Sequence, residues 1–185
     1  MTIEVFGRAP GLPICIRPLG PDDVPRMVAL QAEVYPSGLH ESAQVLSSKI
    51  SAVPAGWTSL AATQGEHLCA YALGYPWRAD LQPRWNHLLA RHHDCDVLYV
   101  HDVAVSVAWA GKGIARSLVS QLLLQGARFG LDRAILIAVE GAQGYWSRHG
   151  FVAADAGQVD PAFGSEAVLM SRRLDPISPE PLARQ

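Results

Sequence analysis

Two stretches of this chain have residue types and spacing suited to chemistry. His101, in Tyr99-Val100-His101-Asp102, carries an imidazole that titrates near neutrality and accepts a proton directly or through one water. A structural histidine buried in a sheet is the alternative. Further on, Ala110-Gly111-Lys112-Gly113-Ile114-Ala115-Arg116 sets two glycines before Ile114, Leu118, Val119, Leu122 and Leu123, which fall on one face of a helix. A helix start carries unpaired N–H groups and the positive end of the helix dipole, and glycines let an anion approach those groups closely. The stretch therefore reads as a phosphate cradle, with a purely structural turn as the alternative. Two phosphate motifs fit poorly. The P-loop fails because Gly113 follows Lys112 and no glycine stands at the required position upstream, and the dinucleotide GxGxxG starts at Gly111 and Gly113 but meets Arg116 at its third glycine.

These residues need elements to hold them. The apolar run 97–105 is a strand that leads through the glycine turn into a helix, with Gly130 as its C-cap. Before it, residues 14–19 alternate as a strand ended by Pro18, Gly20 and Pro21, and Asp22 caps a helix to about residue 34. A second helix over about 41–52 puts Val45, Leu46, Lys49 and Ile50 at helical spacing. Segments 57–63 and 67–75 read as antiparallel strands joined by a turn at Gln64-Gly65-Glu66. Residues 76–96 break the pattern, and a loop of this length in a compact domain suggests a polar loop that gates the substrate. A buried strand of the parallel kind follows at 133–139, then a helix over 141–149, a strand from Phe151 and a last strand over 166–172.

With 185 residues, 49% hydrophobic and 17% charged, the expectation is a flexible leader over 1–13, a single domain over 14–174 and a disordered tail over 175–185. A formal charge of −2 gives no basic face for nucleic acid. No apolar run reaches the roughly 18 residues of a membrane span, and the start lacks the build of a secretory signal. Cys15, Cys69 and Cys95 are odd in number and widely separated, which suggests reduced thiols and a cytoplasmic location. His92-His93-Asp94-Cys95-Asp96 lacks the separated ligand pairs of a structural zinc site, so no metal is expected.

A third pattern fits the glycine turn better. The run from Ala110 to Ala115 resembles the [QR]xxGx[GA] acetyl-CoA signature of the GNAT superfamily of N-acetyltransferases, with Ala110 in place of Gln or Arg. The later run Glu140-Gly141-Ala142-Gln143-Gly144-Tyr145-Trp146-Ser147-Arg148-His149-Gly150-Phe151 resembles the family's second signature, a short helix with an aromatic pair closing in Gly-Phe. The resemblance implies an α/β (α+β mixed) fold: a twisted, mainly antiparallel mixed sheet with a central parallel pair and helices on both faces. It also implies acetyl-CoA as acyl donor and direct transfer to a primary amine of a small molecule or peptide in a ternary complex, by a monomer or homodimer.

In that reading the pantetheine arm pairs with the strand at Val103, Ala104 and Val105, whose backbone donors can also serve the oxyanion. The pyrophosphate lies on the N–H groups of Ala110, Gly111, Lys112, Gly113, Ile114 and Ala115, with Arg116 and Trp146 completing the cofactor set. Glu33 and Tyr35, in the loop between the first two helices, are acceptor-site candidates, and Trp77 and Trp85 suggest an aromatic or cationic ligand. His101 is the expected base, in a strand similar to the histidine-bearing strands of the aralkylamine N-acetyltransferases. Alternation puts Tyr99, His101 and Val103 on one face and Asp102 on the other, so Asp102 is not expected to orient His101. Trp146 stands where many members have a tyrosine, and indole is only an N–H donor, so either Tyr145 or a water protonates the thiolate, or the thiolate leaves unaided. The other function classes are a catalytically silent acyl-CoA-binding module and a nucleotide-binding protein of another fold.

Overall fold

The alternating and β-branched runs of the chain become eight strands: β1 (Ile3–Val5), β2 (Ile14–Pro18), β3 (Leu60–Gln64), β4 (His67–Trp77), β5 (Val97–Val105), β6 (Arg133–Ala138), β7 (Val152–Ala153) and β8 (Val168–Arg173). The computed structural model describes residues 3–5, 13–81, 84–139, 141–154 and 159–175. One mixed sheet takes all eight in the order β1-β2-β3-β4-β5-β6-β8-β7. Every neighbouring pair is antiparallel except β5 and β6. That central parallel pair meets only at Leu98↔Ala134 and Tyr99↔Ile135. Beyond those residues the two strands part, and the sheet has an opening at its middle.

Helices α1 (Val24–Val34) and α2 (Ala43–Ser51) cover one face, where Met27, Leu30 and Leu46 pack with Tyr71, Leu73 and Ala104. Helix α3 (Ile114–Arg128) covers the other, burying Ile114, Leu118, Val119, Leu122 and Leu123 against Leu98, Val100, Ala134 and Leu136. Each such aliphatic side chain contributes roughly 1.5–3 kcal/mol on burial, so α3 is held by its apolar stripe. A short helix α4 (Gln143–Ser147) sits beyond β6. The two-sided layering and the parallel pair are those expected from the resemblance.

Several boundaries differ from the sequence reading. Ile3–Val5, inside the segment expected to be a loose leader, pairs with β2, Ile3 opposite Ile16. The rest of residues 1–12 and the expected disordered tail from 176 onward lie outside the described residues. β4 continues through Pro76 and Trp77, which pair with Leu98 and Val97. Pairing of β4 with β3 stops at Ala72, and a strand side without a neighbour tolerates proline. The helix expected over 141–149 is only Gln143–Ser147, and the last strand starts at Val168.

The register of β4 on β5 slips between Leu73 and Gly74: Leu73 faces Asp102, Gly74 faces Val100, and His101 is the extra residue of a bulge. Gly74 lets the strands and α3 approach there, because a Cβ on it would stand 2.7 Å from Leu122 Cδ2 and 3.0 Å from the Tyr99 carbonyl, and one of them would have to shift.

Candidate active site

The bulge corrects the alternation expected along β5. Tyr99 and His101 share a side, their rings 5.7 Å apart, but the extra residue brings Asp102 to that side as well. Asp102 reaches Tyr35 and Gln31 on α1, and His101 reaches Lys49 on α2. Val103 is turned to the α3 core, away from His101 and Tyr99. Asp102 still does not orient His101. Its carboxylate accepts from the Tyr35 hydroxyl at 2.7 Å, from Gln31 Nε2 at 3.4 Å and from the Tyr71 hydroxyl. Burial, reinforced by the Asp102 charge, raises the pKa of both tyrosines, so they stay neutral donors.

His101 is instead oriented by residues that pattern reading missed. Its Nε2 stands 2.8 Å from Glu41 Oε2 and 2.9 Å from Lys49 Nζ, while Lys49 Nζ donates to Glu41 Oε1. All three side chains are buried, Glu41 completely. Burial opposes the Glu41 charge, but His101 and Lys49 outweigh it and hold the carboxyl at a pKa of about 2. Burial lowers the Lys49 pKa against the attraction of Glu41. One signal was available: Lys49 occupies the apolar stripe of α2 with Val45 and Leu46, and a charge on a buried stripe requires a partner.

Residues 85–89 fold over this cluster. Asn86, at φ 50°, is a residue type that tolerates the left-handed region. Its N–H donates to Glu41 Oε1 at 3.0 Å and its Oδ1 accepts from the Ser42 N–H at 3.2 Å. Leu89 N–H donates to Ser48 Oγ. Trp85 is thereby stacked over His101, centroids 6.2 Å apart, with its edge on Phe163.

A cavity of about 230 Å³ opens where β5 and β6 part, lined by His101, Asp102 and Val103 from β5, Ile137 from β6, and Tyr35, Trp85, Tyr145 and Trp146. Among the described residues two buried side-chain polar atoms lack any hydrogen-bond partner, His101 Nδ1 and the Tyr145 hydroxyl. Both residues line this cavity. Burial raises the pKa of Tyr145, so its phenol keeps its proton at neutral pH.

The glycine turn forms as the sequence reading required. Gly111 and Gly113 have φ of 73° and 79°, and Gly113 is the N-cap of α3. A Cβ on either glycine would meet nothing within 4 Å, so the space above the turn is open. Among the described residues, the N–H groups of Ile114, Ala115 and Arg116 have no recorded acceptor. Open space and free donors at a 15-residue helix fit an approaching phosphate. Ala110 follows a 3-10 turn (Val107–Trp109), and Lys112 Nζ lies 4.2 Å over the Trp109 ring. Val103, Ala104 and Val105 pair on one side with Ala72, Tyr71 and Ala70 of β4, and no strand pairing with β6 extends to them on the other.

The remaining expected residues separate. Tyr35 and Trp85 line the cavity with His101. Glu33 does not: it is exposed, and its Oε1 accepts from Ser106 Oγ at 2.9 Å and Val107 N–H at 2.8 Å, tying α1 to the turn after β5. Trp77 is buried against Tyr75 and Tyr99, donates to the Leu81 carbonyl, and borders a different, wider cavity of about 780 Å³ with Arg84, His87 and His92. His92 packs on the Trp77 ring and Asp96 accepts from the Ala79 N–H. No group of His, Cys, Asp and Glu among the described residues is arranged to hold a metal, and no helix among them is long and apolar enough to cross a membrane.

Comparison with known proteins bears on this site. No curated protein sequence matches the chain. Among solved structures, the loading GNATL domain of CurA from Lyngbya majuscula superposes with a TM-score of 0.73 at 12% identity, over 87% of this chain and 98% of that one. The GphF GNAT-like decarboxylase in complex with isobutyryl-CoA gives 0.69 at 16% identity, over 86% and 99%. The GNAT N-acetyltransferase YhbS from Escherichia coli in complex with CoA gives 0.65 at 22% identity, over 92% and 86%. These likenesses establish a shared fold. The sequence profile of the acetyltransferase (GNAT) family matches residues 24–151, a span that contains α1, the bulged strand, the glycine turn and the aromatic pair. The chain belongs to the GNAT acetyltransferase family.

Proposed function

We propose that the protein is an acetyl-CoA-dependent N-acetyltransferase that acts on a primary amine of a small molecule or peptide by direct attack in a ternary complex, in the cytoplasm, as a monomer or homodimer. The observation that carries this reading is the pair of buried, unpartnered groups on two residues that line one cavity, His101 Nδ1 and the Tyr145 hydroxyl. Amide formation from an ammonium and a thioester takes two protons from nitrogen and delivers one to sulfur, and these atoms supply an acceptor and a donor.

In the mechanism, His101 Nδ1 takes the ammonium proton, and the neutral amine adds to the thioester carbonyl. The strand at Val103, Ala104 and Val105, unpaired toward β6, offers backbone N–H groups to the oxyanion and to the pantetheine amides. As the tetrahedral intermediate collapses, the C–S bond breaks, Tyr145 delivers its proton to the leaving thiolate, and the second nitrogen proton restores the Tyr145 phenol. The α3 N-terminus, with Arg116 and Lys112 beside it, holds the pyrophosphate. Trp146 lies against the same cavity as Tyr145 and helps to wall it. Tyr35, Trp85 and Phe163 give the acceptor a largely aromatic enclosure, which favours an apolar or aromatic amine.

The test is thiol release from acetyl-CoA across an amine panel, for the wild type and His101→Ala. Turnover with an aromatic or aliphatic amine, lowered by roughly 10²-fold or more in the variant with acetyl-CoA affinity intact, is expected for a general base. A variant with normal turnover removes His101 from that role. Binding of CoA without turnover on any amine returns the chain to a silent acyl-CoA-binding module. Because GphF is a GNAT-like decarboxylase, the panel includes a carboxyacyl-CoA without acceptor, and CO₂ release there would replace the amine reading.

A further inference from the structure

We infer that Glu41 is a positioning residue that holds His101 as the Nε2–H tautomer, leaving the Nδ1 lone pair for the amine proton, with Lys49 as the counter-charge to Glu41. The inference rests on the reading of His101 as the base.

The geometry allows few proton arrangements. A carboxylate only accepts hydrogen bonds, and Glu41 Oε2 is 2.8 Å from His101 Nε2, so that nitrogen bears a proton. The neutral ring then has its lone pair on Nδ1, the atom that is buried, unpartnered and on a residue lining the cavity. Lys49 Nζ is 2.9 Å from the same Nε2. With Nε2 protonated, Lys49 Nζ is a neighbouring donor and not its hydrogen-bond partner; if Lys49 instead donated to a bare Nε2, a lone pair would face the Glu41 charge at 2.8 Å, which is repulsive. The carboxylate therefore gathers both donors, Lys49 on Oε1 and His101 on Oε2.

The charges follow from the same arrangement. Glu41 alone would favour an imidazolium, and the Lys49 ammonium beside it opposes one. The positive charge that His101 takes up with the amine proton is shared with the Glu41 carboxylate. Of the other groups near the ring, Tyr75 and Tyr99 are kept neutral by burial and Trp85 and Tyr145 carry no charge, while Asp102, which accepts from Tyr35, Tyr71 and Gln31, is a second negative charge that supports the Lys49 ammonium. Asn86 closes the cluster by donating its N–H to the oxygen that Lys49 uses.

A buried ion pair can also be a mere tether of α2 to the sheet, and tethers are often replaceable without loss. Two readouts separate the cases. In the full chain with ¹⁵N-labelled histidine, the His101 nitrogens should report Nε2–H and a bare Nδ1 in the wild type, and a mixed state in Glu41→Gln. In rate-pH profiles, Glu41→Gln leaves Lys49 unbalanced and should move the acid limb to lower pH. Lys49→Met leaves Glu41 unbalanced and should move it to higher pH, each by about one unit or more. Lys49→Arg should restore the limb, and Glu41→Gln should lower kcat by about tenfold or more with little change in KM for acetyl-CoA. A wild-type Nδ1–H tautomer overturns the inference, and so do unmoved limbs in both folded variants. The tautomer needs no turnover, so it stays decisive if His101→Ala proves that the base lies elsewhere.

Discussion

Gly113 offers a clean test of the phosphate cradle, because substitution there separates backbone cost from charge. The residue sits at φ 79° and ψ 2°, and a Cβ would meet nothing within 4 Å. A side chain thus costs only left-handed backbone energy, about 1 kcal/mol and less for asparagine, which tolerates this region. For a chain of this size that is a fall of roughly 2–4 °C in Tm. Gly113→Asn pays this cost without charge, and Gly113→Asp adds one negative charge at nearly the same volume. At about 5 Å from one phosphate charge the repulsion is roughly 0.8 kcal/mol in water and about 3 kcal/mol at an effective dielectric of 20. The turn is exposed, so the effect falls between these limits. Calorimetry with CoA should show Asp weaker than Asn by at least about tenfold, or roughly 1.4 kcal/mol, with the gap shrinking at about 1 M salt. Equal affinity in two folded variants would refute a pyrophosphate site at this helix start.

Three further outcomes are expected. Tyr145→Phe removes a buried hydroxyl without a partner, so it should raise Tm slightly, by the equivalent of about 1 kcal/mol, while lowering kcat by about tenfold or more; unchanged kcat would leave water as the acid. Gly74→Ala forces a Cβ to 2.7 Å from Leu122 Cδ2 and should cost about 1–3 kcal/mol in urea denaturation, and a neutral result would mean that the bulge is not tightly packed on α3. The Glu41 pKa is lowered from 4.5 to about 2, so its stabilisation is present above the unfolded value and is lost as pH falls toward the folded one. The stability advantage of wild type over Glu41→Gln should therefore shrink on acidification through that window, and a pH-independent advantage would count against the ionised pair.

What was legible in the sequence was local. The glycine turn and α3 were readable because positive-φ glycines and a 3.6-residue apolar period are written within a few residues. The parallel strand β6 was equally plain as a continuous apolar run. His101 was found by residue type, but its neighbours were not, since Glu41 and Lys49 are distant in sequence and meet it only through the packing of α2 on the sheet. The strict alternation assumed along β5 failed at the bulge, whose one trace is Gly74 on the facing strand. Trp77 and Trp85 looked equivalent in an aperiodic stretch, yet one completes a strand and the other covers the imidazole. Glu33 looked like an acceptor-site acid and is a tie between α1 and the turn after β5.

The short contact of β5 with β6 has a thermodynamic consequence. With two paired positions, the sheet is two plates, β1 to β5 and β6 to β8, joined by a narrow seam and by α3 leaning on both. Such plates are expected to open as separate cooperative units, at a free energy below that of global unfolding. The cavity has His101 and Val103 on one plate and Ile137 on the other, so a ligand seated in it bridges the seam. Amide exchange of Leu136, Ile137, Leu169 and Met170 should slow together as ligand is added, because each opening must then release the ligand, at a cost that rises as RT ln(1 + [L]/Kd). The plate that contributes fewest of the polar groups thus becomes the most sensitive reporter of whether the site is filled.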